Sequence, residues 1–348
     1  MKTNFSLLFV PFLFIRFCIC AEQIQGCFPN DKLPSHITPL TSFGQRAEWS
    51  RDGRTVFFVD KAGGDVFAVD VLTKDVKQIT KPEHRPQNHG YYRVFVMWNG
   101  DLLLGHGAER HKLHFQVLDK SLELQPWSVE GEYFDEGPAV SRTSNKIAWT
   151  KPGQGQIYTG EFHYSSEGKP GIINKKLILD NSKEPIIDED GTAYSHILET
   201  QDFNPVDENI LIWNQYLRND YGFRSEVMSI NLLTGNIRNH TKSPHLYDEA
   251  EGIFPCGEYT TVESDRHRPG RGTGGIDIYR LRLDGTSDSY ERLTYFTDLE
   301  GYRSSNPVIS DCGKYMVFQA STVPSPAGFG CGLYIFDFEQ YNRNIRGF

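Results

Sequence analysis

A unit of four short strand-like segments, separated by turn residues, recurs along this chain and constrains its fold more than any other feature. The first unit covers residues 43–80, with turn sequences at 51–54 and 61–64. Its segments alternate apolar and polar residues, which is typical of strands that bury one face. A repeat of about 40 to 60 residues with four strands predicts a β-propeller, in which each sheet packs between its two neighbours around a central channel.

Six such units can be traced, so we predict a single all-β propeller of six blades, with seven blades as the alternative count. The last unit has no fourth strand after Phe338. Residues 36–41 are similar to the fourth strand of the fifth unit, and we expect this N-terminal strand to close the ring. Closure removes two exposed sheet edges. The units span 43–80, 81–128, 129–180, 181–241, 242–294 and 295–348.

The N-terminus has the pattern of a secretory signal peptide: a lysine at position 2, an apolar stretch over 5–19 and small residues near position 20. We therefore expect residues 1–20 to be removed and residues 21–348 to form a secreted, extracellular propeller domain. The whole chain carries 36 basic and 45 acidic residues. This acidic balance argues against binding to nucleic acid or to an anionic membrane surface. A monomer is expected.

Four cysteines lie beyond the predicted signal peptide, at Cys27, Cys256, Cys312 and Cys331. An even number in an oxidising compartment predicts two disulfides, and the sequence leaves all three connectivities open. Their spacing lacks a Cys-x-x-Cys pair, which argues against a structural zinc site. Asn239 begins an Asn-His-Thr sequon, so we expect a glycan on a surface strand.

Long loops are predicted on one face of the propeller, and tight turns on the other. Long loops on a rigid scaffold commonly carry binding and catalytic residues. These loops are rich in histidine, arginine and tyrosine, and their basic residues outnumber the acidic ones although the whole chain is acidic. We therefore expect an anionic ligand, and arginines among tyrosines favour a carboxylated saccharide. The long loops are 81–93, 106–112, 216–224, 242–251, 265–275 and 295–306.

The candidate site residues come from these loops. Histidine can act as a base near neutral pH, and tyrosine can donate a proton to a leaving oxygen. The predicted catalytic groups are His89 and His106, expected near the channel mouth, and Tyr247 and Tyr302. The predicted substrate-binding residues, which include the clamp for a carboxylate, are Arg93, Arg110, Arg218, Arg266, His267, Arg271 and Arg303.

A metal site is the less favoured interpretation of the remaining histidines. The imidazoles of His196, His245 and His267 come from different blades and could meet over the channel. No short ligand spacing supports such a site. We therefore predict no cofactor, and a divalent metal remains the alternative.

Residues 49–53 read Trp-Ser-Arg-Asp-Gly and lead into a strand that ends at Asp60, and Leu293-Thr294 precedes the sixth unit. This pattern resembles the repeat of the TolB-like family of β-propellers, most closely in the first, fifth and sixth units. The resemblance implies the fold. It implies no particular function, because such propellers serve as scaffolds, enzymes and docking surfaces.

A second resemblance rests on residues 247–257, 262–267 and 301–311. These segments are similar to secreted propeller enzymes that act at glucuronic acid, the rhamnosyl-glucuronate lyases and saponin hydrolases. The resemblance implies a lyase that cleaves the bond at a glucuronosyl residue by β-elimination. A histidine base would remove the proton at C5 while arginine neutralises the carboxylate. The expected ligand is thus a uronic-acid-containing saccharide or glycoside.

Two alternatives remain open. A glycoside hydrolase acting on glucuronide saponins would need two carboxyl groups that flank the glycosidic bond, for which the candidates are Glu249, Glu251 and Glu136. A non-catalytic propeller would bind a glycan or a protein through the same basic, aromatic face. Turnover, and the chemistry of the product, distinguish these three classes.

Overall fold

The computed structural model describes residues 24–85, 89–326 and 328–346, and the predicted signal peptide lies outside them. Six four-stranded antiparallel sheets follow one another along the described chain. The first strand of each sheet faces the centre of the ring, and innermost strands of neighbouring sheets contact each other. The predicted six-bladed propeller is confirmed, and the alternative of seven blades is wrong.

The first three blades are built from consecutive strands. Blade 1 consists of β2 (Gln45–Trp49), β3 (Thr55–Val59), β4 (Val66–Asp70) and β5 (Val76–Gln78). Blade 2 consists of β6 (Gly90–Val96), β7 (Leu102–Gly107), β8 (Leu113–Leu118) and β9 (Trp127–Phe134). Blade 3 consists of β10 (Ala139–Val140), β11 (Lys146–Thr150), β12 (Gln156–Tyr164) and β13 (Pro170–Asp180).

The second half of the ring repeats this order. Blade 4 consists of β16 (Leu198–Phe203), β17 (Ile210–Asn219), β18 (Gly222–Asn231) and β19 (Ile237–Asn239). Blade 5 consists of β20 (Asp248–Ile253), β21 (Tyr259–Ser264), β22 (Asp277–Arg282) and β23 (Tyr290–Arg292). Blade 6 consists of β24 (Tyr302–Ile309), β25 (Tyr315–Thr322), β26 (Leu333–Asp337) and the N-terminal strand β1 (Ile37–Pro39).

The start and the end of the chain meet in blade 6. Strand β1 pairs antiparallel with β26, and Ile37 lies opposite Phe336. A disulfide joins Cys27 to Cys331 beside this pair, across a sequence separation of 304 residues. Ring closure by the N-terminal strand, predicted from residues 36–41, is confirmed. The chain ends of the propeller are therefore held both by a sheet and by a covalent bond.

Apolar residues between the blades form the core. Six clusters of buried apolar side chains fill the six boundaries between neighbouring blades, with one cluster at each boundary. Between blades 6 and 1, for example, Trp49 and Phe58 pack with Val317 and Leu333. Burial of a large apolar side chain contributes about 1.5–3 kcal/mol, so these clusters hold the ring together.

The turns between the first and second strands of the blades match the predicted positions. Gly53 and Gly257 take positive φ values of 69° and 73° in these turns, where a residue with a side chain would be strained. A Cβ at Gly257 would also approach the Asn204 side chain to 2.4 Å. These tight turns occupy the face opposite the long loops.

Two elements and one loop depart from the sequence prediction. A hairpin of β14 (Ile186–Ile187) and β15 (Ala193–Tyr194) precedes blade 4, and helix α1 (Phe338–Arg346) follows β26. The predicted loop 216–224 is instead the tip of the β17–β18 hairpin, which stays paired up to Asn219 and Gly222. Single-turn 3-10 helices lie at Asn30–Lys32, Pro82–His84, Gly272–Gly274 and Phe296–Asp298. No helix in the described parts of the chain is both long and apolar enough to cross a lipid bilayer.

Two predictions about covalent modification need correction. The expected second disulfide is not formed, because Cys256 and Cys312 are exposed free cysteines at the turns of blades 5 and 6. The sequon residue Asn239 is only 2% exposed. Its Nδ2 donates a hydrogen bond to the Tyr194 hydroxyl at 2.8 Å. The folded protein therefore does not present the Asn239 amide for a glycan.

We expect loss of the disulfide to weaken ring closure. Cys27→Ser should lower the free energy of unfolding by about 2–5 kcal/mol, since the bond closes most of the chain into one loop and restricts the unfolded state. Urea denaturation measures this change. Cys256→Ser, at an exposed free cysteine, is the control and should stay within about 0.5 kcal/mol of the parent protein. Equal effects of the two substitutions would contradict the prediction.

Candidate functional site

Five of the six innermost strands contain a register shift, where the pairing with the second strand slips by a residue or more. Such a bulge increases strand twist and changes the direction of nearby side chains. Arg46, Arg93, Glu251 and Asn306 lie within or beside these shifts, and all four line the central channel. The bulges thus direct polar side chains of the innermost strands into the channel.

A cavity of about 200 Å³ lies in the channel on the side of the long loops. Its wall carries five arginines, five glutamates, two tyrosines, a histidine and an asparagine. Blades 6, 1 and 2 place arginines on the innermost strands, and blades 4 and 5 place glutamates there. The polar and aromatic lining comprises Arg46, Arg93, Arg110, Arg218, Arg303, Glu136, Glu199, Glu249, Glu251, Glu263, Tyr216, Tyr247, Phe223, His111 and Asn306.

Three of these lining residues hold a left-handed backbone conformation. The φ values are 53° for Arg46, 59° for Glu136 and 48° for Asn306. This conformation costs about 1–2 kcal/mol for a residue with a Cβ, and it persists only where the surrounding structure imposes it. Gln154, with a φ of 52°, also lines the cavity. Strain of this kind clusters at functional sites, and here it occurs at four residues around one cavity.

Glu136 is the centre of a buried ion-pair network. Arg110 Nε lies 2.6 Å from its Oε1, while Arg93 and Arg46 approach its Oε2 at 3.6 and 3.7 Å. Arg93 also lies 3.7 Å from Glu199 Oε1. Burial alone would raise the pKa of Glu136, but the charges of Arg46, Arg110 and Arg93 outweigh it and hold the pKa below its ordinary value. Glu136 is therefore an anion that fixes three guanidinium groups.

Two buried tyrosines connect the glutamates of blades 4 and 5. The Tyr216 hydroxyl lies 2.7 Å from Glu199 Oε2 and also bonds Glu249 Oε1, and the Tyr247 hydroxyl bonds Glu249 Oε2. Burial raises the pKa of Glu199 to about 7 and that of Glu249 to about 8. One hydroxyl proton cannot serve two carboxylates, so the Tyr216 bridge favours a proton on one of these carboxyl groups.

His111 and Asp135 form a pair at the wall of the cavity. His111 Nδ1 lies 2.8 Å from Asp135 Oδ1, and the Asp135 side chain is 3% exposed whereas that of His111 is 65% exposed. Burial raises the pKa of Asp135, and the hydrogen bond from His111 opposes that rise. When Nδ1 donates to Asp135, Nε2 is the basic nitrogen of the ring. This arrangement is suited to a general base whose orientation is fixed by a carboxylate.

Arg218 differs from the other cavity arginines in its surroundings. Its guanidinium lies 5.6 Å from the centre of the Phe223 ring, which itself stacks on Tyr216. Among residues 24–85, 89–326 and 328–346, no carboxylate forms a salt bridge with it. A guanidinium on an aromatic platform, with its donors directed at no protein anion, is suited to bind a carboxylate from solution.

The predicted pair His89 and His106 is close together but does not line the cavity. Their Nδ1 atoms are 3.3 Å apart, and both rings lie near the His114 ring, with centroids at 5.7 and 5.2 Å. His106 is 4% exposed and lies on the side of blade 2 that packs against blade 1. The expected position at the channel mouth is therefore wrong, because strand β7 carries His106 into the blade interior.

Other predicted residues stabilise loops and blades. Arg266 stacks on the Tyr290 ring at 3.5 Å and bonds Asp248. His267 hydrogen-bonds the Tyr279 hydroxyl and Thr297, and the Tyr302 ring packs against Phe28 at 5.2 Å. Arg271 is exposed and lies outside the cavity lining. The structure thus brings Arg93, Arg110, Arg218, Arg303, Tyr247, Glu249, Glu251 and Glu136 together, but not the remaining predicted residues.

Arg303 lines the cavity, yet its guanidinium serves the backbone. It donates hydrogen bonds to the carbonyl oxygens of Thr273, Ser325 and Pro326 at 2.6–2.8 Å.

The alternative metal site of His196, His245 and His267 does not form. His196 and His245 are exposed, and the possible metal-ligand groups among the described residues contain neither of them nor His267.

Several residues of the cavity were not predicted from the sequence, among them Arg46, Glu199, Tyr216, Glu263 and His111. Arg46 and Glu199 lie at the starts of innermost strands, and an alignment of the first strand of every repeat would have placed them beside the channel. Tyr216 and Glu263 lie on second strands, and only the register of the sheets brings them to the channel. His111 lies in a predicted loop, beside the predicted Arg110.

Removal of one partner from the Glu136 network should be destabilising. We expect Arg93→Met to lower the free energy of unfolding by about 3 kcal/mol, because it leaves Glu136 and Glu199 less compensated in a buried site. Arg218→Met is the matched control and should change it by less than about 0.5 kcal/mol. Urea denaturation of both variants measures these free energies of unfolding. A similar loss of stability in Arg93→Met and Arg218→Met would contradict the prediction.

The buried His106 should make the protein sensitive to acid. Burial, with added repulsion from His114 and His89, lowers the pKa of His106 to about 4 from its ordinary 6.5. Between these values the unfolded chain binds a proton that the folded protein does not, so stability falls as the pH falls. His106→Leu should therefore lose less stability than the parent between about pH 7 and about pH 5.

The control for this pH dependence is His163→Leu, at an exposed position of β12. We expect this variant to lose as much stability as the parent protein over the same pH interval, measured by urea denaturation. The same loss in His106→Leu would show that His106 does not titrate as the structure indicates.

Comparisons with known proteins show the fold. No protein-family model and no curated protein sequence matches the chain. An oligogalacturonate lyase, solved in complex with manganese, is 13% identical, with a TM-score of 0.51 over 86% of this chain and 92% of its own. A TolB-type protein from Agrobacterium tumefaciens is 16% identical, with a TM-score of 0.51 over 74% of this chain and 77% of its own. The gluconolactonase XC5397 from Xanthomonas campestris is 12% identical, with a TM-score of 0.50 over 86% of this chain and 88% of its own. These likenesses confirm a β-propeller similar to TolB-type proteins, while the resemblance to glucuronate-acting enzymes stays a prediction.

Proposed function

We propose that this chain is a carbohydrate-active enzyme that cleaves a uronic-acid-containing saccharide by β-elimination. The observation that carries the proposal is the His111–Asp135 pair on the wall of a cavity that also holds Arg110 and Arg218. A base and a cation beside one cavity are the two groups that this reaction requires. The proposal includes secretion of a monomer, on the signal-peptide pattern of residues 1–20.

Arg218 is the group proposed to hold the carboxylate of the substrate. A uronate carboxylate withdraws little electron density while it is ionised, so the proton at C5 is only weakly acidic. A guanidinium against the carboxylate stabilises the negative charge that develops there when the proton leaves. Phe223 and Tyr216 form an aromatic stack beside Arg218, which offers an apolar surface to the sugar ring.

His111 is the proposed base. Its Nε2 takes the proton from C5, the electron pair forms the double bond between C4 and C5, and the bond from C4 to the glycosidic oxygen breaks. The leaving oxygen takes up a proton from water at the open end of the channel. Asp135 positions the imidazole and stabilises its charged form. Tyr247, predicted as proton donor, is instead committed to Glu249.

The similarity in fold to an oligogalacturonate lyase supports the choice of substrate class. That protein is named as a lyase of oligogalacturonate, so a similar fold is compatible with cleavage of a uronate-containing saccharide. The polarity of the channel agrees with an anionic substrate that enters from the long-loop face. Ion pairs occupy the channel on the opposite side. Arg51 pairs there with Glu48 and Asp311, and Arg142 pairs with Asp202 and Asp311.

A hydrolase is the second candidate, and one contact favours it. The Tyr216 hydroxyl touches Glu199 and Glu249 at once, which brings two carboxyl groups close together beside the cavity. Hydrolysis uses two carboxyl groups, one on each side of the glycosidic bond. It adds a molecule of water to the products, whereas elimination adds none.

The test uses disaccharides in which a glucuronate or a galacturonate carries the second sugar on its O4, dissolved in water labelled with heavy oxygen. We expect an unsaturated uronide that absorbs in the ultraviolet and carries no label. His111→Ala should reduce its rate of formation at least about 100-fold, while His163→Ala, at an exposed site far along blade 3, should leave it unchanged. Both variants should be folded, and His163→Ala should unfold at the same urea concentration as the parent. His111→Ala loses the hydrogen bond to buried Asp135 and should be less stable by about 1–3 kcal/mol.

Labelled, saturated products would contradict elimination and support the hydrolase. Full activity in His111→Ala would remove His111 from the reaction. Saccharide binding without any product would identify a non-catalytic propeller.

A further inference from the structure

Three carboxyl groups meet on blade 5 beside the cavity. Glu249 and Glu263 lie opposite each other on the paired strands β20 and β21, and Glu251 follows on β20 beyond a register shift. One carboxylate oxygen from each of the three lies within 4.8 Å of the other two. Glu249 and Glu251 are two residues apart on β20 and therefore share a face of the strand, and Glu263 pairs directly with Glu249 on that face.

No basic side chain neutralises this cluster by direct contact. In the parts of the chain that the structure describes, the arginines of the cavity form salt bridges with Glu136 and Glu199, and no salt bridge reaches Glu249, Glu251 or Glu263. Glu249 is 9% and Glu263 4% exposed, so water cannot screen the charges well. Three ionised carboxylates this close together, two buried and Glu251 partly buried, repel one another strongly.

Protons are one way to relieve this repulsion. Burial and the charge of Glu249 raise the pKa of Glu263 to about 8, and burial with the charge of Glu263 raises that of Glu251 well above its ordinary value. The carboxyl groups of Glu251 and Glu263 are hydrogen-bonded to each other. A cation would relieve the same repulsion and leave all three groups ionised.

Asn306 provides an independent observation, because it contacts the cluster and has a buried oxygen for which the described chain offers no hydrogen-bond donor. It is 7% exposed, and its backbone N–H and Nδ2 donate hydrogen bonds to Glu263 Oε1 at 2.6 Å and to Glu251 Oε1 at 3.1 Å. Its Oδ1 is buried and finds no hydrogen-bond donor among the described residues. An unpaired buried amide oxygen costs about 1–3 kcal/mol. The Asn306 side chain thus contacts the cluster through Nδ2 and carries a buried oxygen that no donor of the described residues uses.

We propose that Glu249, Glu251, Glu263 and Asn306 bind a hard divalent cation in the channel. Three carboxylates and one amide oxygen, without nitrogen or sulfur, suit Ca²⁺, Mn²⁺ or Mg²⁺ and not the softer transition metals. A half-turn of the Asn306 amide exchanges Nδ2 for Oδ1 and lets the oxygen bind the cation, and water completes the coordination of the ion. This site goes beyond the proposed function, because it needs neither a saccharide nor turnover.

A second cluster of possible ligands, His111 with Asp135 and Glu136, does not carry the same inference. Glu136 already contacts Arg46, Arg93 and Arg110, whose charges would repel a cation. The cluster on blade 5 is thus the place in the channel where negative charge is in excess.

Titration calorimetry on the chelator-treated protein tests the site, with CaCl₂, MnCl₂ and MgCl₂ added separately and no saccharide present. We expect one ion per chain for at least one of the three. Glu263→Gln and Asn306→Ala should each weaken its binding about tenfold or more. Glu48→Gln is the matched control, since Glu48 is a buried carboxyl on the other side of the channel that pairs with Arg51, and it should bind like the parent.

A second measurement keeps the test decisive if a variant fails to fold. Tb³⁺ bound at Glu249 would be sensitised by the Tyr247 and Tyr216 rings, whose hydroxyls touch this carboxyl group. Sensitised emission that Ca²⁺ removes supports the site. No ion uptake by the parent protein, or equal affinity in Glu263→Gln and Glu48→Gln, overturns it. Neither result bears on saccharide cleavage, so the two proposals fail separately.

Discussion

Every sheet of this protein must bury both of its faces, and the rest of the structure depends on that constraint. The repeats supply apolar residues for both sides of each blade, and six apolar clusters fill the six boundaries between blades. Sheets that pack in this way close into a ring only if the last blade finds a partner. Strand β1 is that partner, and the bond between Cys27 and Cys331 holds it in place.

A ring of sheets leaves a channel lined by its innermost strands, and this protein fills that channel with charge. Register shifts in five innermost strands, together with left-handed conformations at Arg46, Glu136 and Asn306, direct charged and polar side chains inward. Both features cost stability, and the apolar boundaries of the blades offset them. The result is a polarised cavity: arginines are fixed around Glu136, whereas the carboxyl groups of blade 5 form no salt bridge with any residue that the structure describes.

Sequence patterns predict the scaffold well because it repeats. Four strands per unit, tight turns at positions such as Gly53 and closure by residues 36–41 all follow from local alternation and turn chemistry. The hairpin β14–β15 and helix α1 occur once, so no repeat reveals them.

The candidate site was predicted only in part. Tyr247, Arg93 and Arg110 lie at the cavity as expected, but His106 does not, because a loop position says little about which side of a blade a residue faces. A bulge depends on the partner strand, and no single strand sequence discloses it.

The proposed function requires that a uronate binds in the cavity on the long-loop side of the channel. A crystal structure of the His111→Ala variant with a glucuronosyl disaccharide tests it most directly, since the variant should retain the substrate. We expect the uronate carboxylate to lie within hydrogen-bond distance, about 2.7–3.2 Å, of Arg218 or Arg110. The sugar ring should pack against Phe223. A saccharide bound beside His89 and His106, or on the outer strands of the blades, would contradict it.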